Sequence, residues 1–158
     1  MIRRWGNFAG FAVCVLMLGF AYYLQFGRDM NPCPLCIFER ITTVALGVVF
    51  LVAWLHNPGR FGRWLYLALI FVVSAVGVFV SARHVYIQHN PGVVMSCGGA
   101  SLKTMVQHLP PLEVIREVLQ GSGDCAHVDT FLGVSLPLWV LGLTSLLGIG
   151  GIAVNSRR

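Results

Sequence analysis

The residues of this 158-residue chain that can do chemistry are its cysteines, Cys14, Cys33, Cys36, Cys97 and Cys125. Two of them close a C-x-x-C, Cys33-Pro34-Leu35-Cys36. A disulfide across so small a ring removes little freedom from the unfolded chain and is a poor staple. As a dithiol switch the motif is well suited, because it lowers a thiol pKa and so favours the reactive thiolate. Arg40 follows Cys36 by four residues, one helical turn down the same face, where a cation stabilises developing negative charge on sulfur. A haem attachment site requires His after the second cysteine, and Ile37 stands there. A four-cysteine zinc site usually has two closely spaced pairs. The 27 residues between Cys97 and Cys125 fit that poorly, so no metal is expected.

The elements that must carry these groups are membrane spans. The composition is 56% apolar and 11% charged, far from an ordinary soluble domain and opposite to a disordered one. Four apolar runs, residues 8–26, 37–55, 64–82 and 131–154, are each long enough to cross a hydrocarbon core as helix. The expected fold is an all-α membrane protein, one domain over 1–158: a four-transmembrane-helix bundle with a short loop at 27–36 and a long one at 83–130. A cleaved leader ending near Gly19 and Ala21 is the lesser alternative for the first run.

Charge sets the sidedness. Arg3, Arg4, Arg60, Arg63, Arg157 and Arg158 flank the spans on one side, which the positive-inside rule makes cytoplasmic, with both termini. All six acids lie with the other five basic residues on the outer side. The net charge of +5 is therefore a topology signal, and no nucleic-acid partner is needed to explain it. Cys33, Cys36, Cys97 and Cys125 all fall outside, in a compartment where disulfides persist. Three pairings are possible, and pairing the C-x-x-C leaves Cys97 with Cys125. Cys14 lies inside the first span as a small buried residue.

The long loop is too long to be a simple connector. Within it Leu112, Ile115, Val118 and Leu119 recur at helical spacing between Pro110-Pro111 and Gly121, with Glu113, Arg116, Glu117 and Gln120 opposite. Such an amphipathic helix rests in the membrane interface or packs on the rest of the loop.

Together these pieces resemble the DsbB family of membrane thiol–quinone oxidoreductases. The matching segments are Cys33-Pro34-Leu35-Cys36-Ile37-Phe38-Glu39-Arg40, Gly121-Ser122-Gly123-Asp124-Cys125, and Phe131-Leu132-Gly133 with Pro137 and Trp139. Topology, loop sizes and cysteine placement agree over almost the whole chain.

The resemblance implies a relay in the bacterial inner membrane. A reduced periplasmic DsbA-like thioredoxin-fold protein attacks a Cys97–Cys125 pair, with Cys97 forming the mixed disulfide. Cys125 then exchanges with Cys33. Bound quinone, ubiquinone or menaquinone, reoxidises the C-x-x-C, with Cys36 facing it and Arg40 polarising it. A quinone-side His of the family corresponds by spacing to His84, with His89 a weaker match. The segment after Cys97, Gly98-Gly99-Ala100-Ser101, departs from the family's common pattern and leaves the docking contacts open. Two other functions compete. A vitamin K epoxide reductase-like oxidoreductase places its C-x-x-C after the loop pair, the reverse of the order here. A structural four-span protein would use the same cysteines only as loop disulfides.

Overall fold

The apolar runs become four long helices in the computed structural model, which describes residues 2–27, 32–57, 59–90, 92, 106–121, 125 and 130–156. They are α1 (Ile2–Gly27), α2 (Pro34–His56), α3 (Arg60–His89) and α5 (Leu136–Ser156). A shorter helix α4 (Pro111–Gln120) and a two-stranded hairpin, β1 (Thr130–Phe131) and β2 (Val134–Ser135), lie between the last two. Helix α1 packs on α2, α2 on α3, α3 on α5 and α5 on α1, which closes a four-helix ring. All four are long and apolar enough to cross a membrane, and they are compatible with a multi-pass membrane protein.

Outward faces carry large apolar side chains such as Leu16, Phe26, Phe71, Leu146 and Ile149, the inverse of a water-soluble bundle and the surface a bilayer covers. Lipid is as apolar as these side chains, so burial alone does not hold the helices together; close packing and interhelical hydrogen bonds do. Phe50 is the centre of one core, with Cys14, Leu46 and Ile70. A Cβ added at Gly151 would lie 2.8 Å from its ring and 3.0 Å from Ile70, and one at Gly10 would lie 3.0 Å from the ring. Below this core Asn7 and Asn155 exchange two amide hydrogen bonds, 3.3 and 2.8 Å, tying α1 to α5. Gly151→Leu is expected to force α5 away from Phe50 of α2 and Ile70 of α3 and to destabilise the bundle by about 1–3 kcal/mol. Gly150→Ala, where an added Cβ meets nothing, is the matched control. Thermal unfolding in detergent compares the two, and equal melting temperatures would mean that the close approach carries no energy.

Two boundaries differ from the apolar runs. Helix α3 does not stop near residue 82 but continues to His89, because Val80, Ser81, His84 and Ile87 form a helical face that the bundle buries. The loop expected from residue 83 therefore leaves the helix only at Asn90, and His84 belongs to a helix. The fourth helix starts at Leu136, five residues after the run begins. Leu132 and Gly133 both have positive φ, 55° and 80°, the two-residue turn that hairpins favour. Thr130 pairs with Ser135 and Phe131 with Val134. Apolar residues run straight through this turn, so hydropathy alone does not register it. The hairpin is latched on both sides: Trp139 Nε1 donates to Phe131 O at 3.2 Å, and Phe131 meets the Phe20 ring edge-on at 5.0 Å.

Helix α4 has the predicted ends, Pro110 as N-cap and Gly121 as C-cap with φ 87°. Gly121 has a second reason to be glycine, since a Cβ there would come within 2.5 Å of Ile87. The buried face of α4 differs from the predicted one. Val114 and Val118 are buried, whereas Leu112 is 79% and Ile115 43% exposed. All four lie on one broad apolar arc, of which the bundle covers one flank and leaves the other outward.

Candidate functional site

The site begins with the way α2 starts. Pro34 takes the first helical position, where its missing N–H costs nothing, and Cys33 sits before it as N-cap. The Cys36 N–H points back at Cys33 Sγ, 3.4 Å away, and the two sulfurs are 3.3 Å apart. The C-x-x-C is thus also the capping motif of its helix, at the end where unpaired N–H groups and the helix dipole favour negative charge.

Around Cys33 three other elements converge. His84, from the extension of α3, is 98% buried and places Nε2 3.7 Å from Cys33 Sγ. Its other nitrogen, Nδ1, lies 2.9 Å from Glu39 Oε1, one turn along α2 from Cys36. The carboxylate accepts there, so Nδ1 carries the proton and Nε2 faces sulfur. Cys125 approaches from the segment after α4. Its sulfur, Cys33 Sγ and a His84 nitrogen all lie within 4.8 Å of one another. Leu35, Val80, Ile87, Val114 and Val118 enclose these groups. Hydrogen bonds with the Cys125 and Cys36 thiols, followed by burial, hold the Cys33 thiol far above its ordinary range. His84 Nε2, 3.7 Å from its sulfur, is a base within reach of the thiol proton.

Cys36 faces elsewhere. It is half-buried on the wall of a cavity of about 350 Å³ between α1, α2 and α5, lined by apolar residues including Leu16, Leu24, Val140 and Leu143. Polar groups of that wall include Gln25, Glu39 and Arg40, near Cys36, and Thr43, one turn further along α2. Arg40 Nη1 donates to Gln25 Oε1 and Nη2 to the Ala21 carbonyl at 3.3 Å, while its guanidinium lies over the Tyr22 ring at 5.2 Å. The hydrogen bonds of its guanidinium run to α1, whereas Glu39, its sequence neighbour, directs its carboxylate to His84 of α3.

Of the predicted site residues, Cys33, Cys36, Cys125 and His84 come together, and Arg40 lies one turn below Cys36 on the cavity side. Cys97 lies outside the described residues. His89 is exposed, and its Nδ1 pairs with the Val85 carbonyl of its own helix, away from the sulfurs. Cys14 is buried against Gly47 in the Phe50 core, remote from this cluster. Two residues were not predicted as site members. Glu39 was legible as an acid inside an apolar run, three residues after Cys36. Gln25 carries no such signal, because a single amide at a span end is ordinary.

Comparison with known proteins adds the context. The family described as Disulfide bond formation protein DsbB matches residues 3–154. Curated relatives named Disulfide bond formation protein B include that of Nitrosococcus oceani, 43% identical over 92% of this chain and 87% of its own length. Those of Xanthomonas campestris pv. campestris (43%, 86% and 83%) and Methylobacillus flagellatus (40%, 96% and 90%) are similar. No solved structure matches the chain.

Proposed function

This chain belongs to the DsbB family of disulfide bond formation proteins, and from that premise we propose that it reoxidises a periplasmic DsbA-like protein by passing electrons through two cysteine pairs to a membrane quinone. One observation carries the reading: Cys125 of the long loop lies beside Cys33, while Cys36 of the same C-x-x-C borders the apolar cavity. The two sulfurs of one dithiol thus face two different reaction partners.

The relay balances as thiol–disulfide exchange. A thiolate of the reduced partner attacks Cys97 Sγ of a Cys97–Cys125 disulfide and expels Cys125 as thiolate. The partner's second thiol resolves the mixed disulfide, so the partner leaves oxidised and the loop pair is reduced. Cys125 then attacks Cys33 Sγ of a Cys33–Cys36 disulfide and expels Cys36. Cys97 closes on Cys125, which releases Cys33 and leaves the C-x-x-C with two electrons and two protons. His84 Nε2 is the base in reach of the Cys33 proton, and Glu39 stabilises the imidazolium that results.

The cavity fits a quinone by its chemistry. Its size suits a small ring, its walls suit an isoprenoid-like tail, and Arg40 and Gln25 offer donors at the end where Cys36 sits. A quinone held there supplies an acceptor for two electrons and two protons. The chain's part is to keep Cys36 on the wall, to hold the guanidinium in place through Gln25 and Ala21, and to exclude water with apolar side chains. Purified chain in detergent, mixed with quinone and a reduced DsbA-like protein, is expected to show quinone absorbance falling as the partner is oxidised. A chain that oxidises the partner no faster than quinone alone would overturn the reading.

Helix α4 positions the loop pair in this scheme. Val118 closes over Cys33 and Cys125, and the outward flank of Leu112 and Ile115 rests on the bilayer. Leu112→Asp with Ile115→Asp is expected to lift that flank and slow electron transfer from the loop pair to Cys33 about tenfold. Direct reoxidation of the Cys33–Cys36 dithiol by quinone should stay unchanged. Stopped-flow measurement of the two half-reactions separates these results, and no loss in either would show that α4 has no positioning role.

A further inference from the structure

Fully reduced, the cysteine centre has the donors of a zinc site. We propose that Cys33, Cys36, Cys125 and His84 bind one thiophilic divalent cation, Zn²⁺ by class, in the reduced chain alone, and that the bound ion locks the relay in that state. The binding itself stands on geometry; its consequence for turnover rests on the relay reading above.

Zinc takes four ligands tetrahedrally, at about 2.3 Å to sulfur and 2.0–2.1 Å to nitrogen, which places ligand atoms about 3.5–3.8 Å apart. Cys33 Sγ to His84 Nε2 is 3.7 Å and Cys33 Sγ to Cys36 Sγ is 3.3 Å, so a few tenths of an ångström complete the first edges. Cys125 shares the sphere of Cys33 and His84, and Cys36, which now groups with Glu39 and a His84 nitrogen, completes the set by turning its side chain from the cavity wall toward Cys33. Surrounding groups are arranged for a metal too. A zinc-bound histidine nearly always donates its other N–H to a carboxylate, and His84 Nδ1 meets Glu39 at 2.9 Å. The Cys36 N–H aimed at Cys33 Sγ and the N-terminus of α2 both stabilise thiolate charge. An apolar shell of Leu35, Ile87 and Val118 keeps water away. In sequence, 27 residues separate Cys97 from Cys125, too far for the second close pair of a four-cysteine site. The fold supplies the fourth donor from α3 instead.

Binding is an acid–base reaction without electron transfer. Three thiols lose three protons to solvent, His84 keeps its Nδ1 proton, and the ion gains three thiolates and one imidazole nitrogen. A Cys33–Cys36 disulfide removes two of these donors and a Cys97–Cys125 disulfide removes a third. Metal binding and oxidation therefore exclude each other.

Co²⁺ serves as the probe, because its tetrahedral d–d bands and thiolate charge-transfer absorption report ligand number. The full chain in detergent, reduced with a phosphine, is expected to take up one Co²⁺ with the intensity of three thiolates, and Zn²⁺ should displace it. The same chain oxidised with diamide should take up none, a comparison that requires no variant to fold. Glu39→Gln is expected to weaken binding about 10- to 100-fold while keeping the spectrum. Cys125→Ser should remove one thiolate's intensity, and His84→Ala should abolish the tetrahedral bands. Absence of uptake by the reduced chain would overturn the proposal, as would a two-thiolate spectrum indifferent to Cys125→Ser and His84→Ala. Quinone oxidation of the metal-free reduced chain is followed alongside. Its failure with Co²⁺ uptake intact would overturn the relay and leave the metal site standing, and the reverse result would overturn the metal site alone.

Discussion

Changing Cys33, Cys36, Cys97 or Cys125 singly to Ser is expected to lower steady-state reoxidation of a reduced DsbA-like protein by at least about a thousandfold, since each removes a sulfur that must bond or leave. The four losses should differ in kind. Cys33→Ser leaves an intact loop disulfide, so the first equivalent of partner is oxidised in a burst and turnover then stops. Cys97→Ser removes the sulfur that the partner attacks and should show no burst at all. Cys36→Ser separates the sulfur centre from the cavity, so quinone absorbance should stay constant whatever happens at the loop. Cys14→Ala, in the Phe50 core and remote from the cluster, is expected to turn over at the parent rate with at most a modest loss of thermal stability. Rapid quench and non-reducing gels distinguish these outcomes. Multiple turnovers by Cys97→Ser would sink the two-pair relay, and a single Cys33→Ser chain cycling normally would do the same.

The physical reason that so much of this was visible in the sequence is that lipid imposes a simple code. A chain that must satisfy every backbone group within a bilayer has only helices or closed barrels available, so four apolar runs read as four helices. The C-x-x-C and Arg40 were legible because their spacing fixes one helical turn whatever the rest of the fold does. Information carried between elements was less visible. His84 was reached through resemblance and placed in a loop, whereas it sits in α3 because Val80, Ser81 and Ile87 extend the buried face past the apolar run. Glu39 was visible only as an acid inside an apolar run, beside Arg40. Adjacent residues on a helix diverge by about 100°, which lets Glu39 reach His84 while Arg40 reaches Gln25. The hairpin at 130–135 hid inside an apolar run, where only Gly133 marked the turn. Val114 escaped notice on α4 because spacing identifies an apolar arc but not which flank the bundle covers.

Arg40→Ala is expected to lower quinone-dependent turnover about ten- to a hundredfold and to raise the apparent quinone KM, leaving the KM for the protein partner unchanged. The magnitude follows from removing one charge-assisted interaction of about 1.5–3 kcal/mol with negative charge that develops beside Cys36 at the cavity wall. Folding should survive, because among the described residues no acid pairs with Arg40 and would be left buried alone; its hydrogen bonds run to the neutral Gln25 amide and the Ala21 carbonyl. Arg40→Lys separates charge from geometry. An ammonium keeps the positive charge but lacks the planar fork that reaches two acceptors of α1 while lying against Tyr22. Lysine should therefore recover only part of the rate. Gln25→Ala, which keeps the guanidinium and removes its tether, should fall between the parent and Arg40→Ala. The order parent, Gln25→Ala, Arg40→Ala, read in quinone KM and turnover at saturating partner, is the signature of a positioned cation. Unchanged quinone kinetics in Arg40→Ala would make Arg40 an interfacial anchor, and a parallel rise in both KM values would trace the loss to the bundle as a whole.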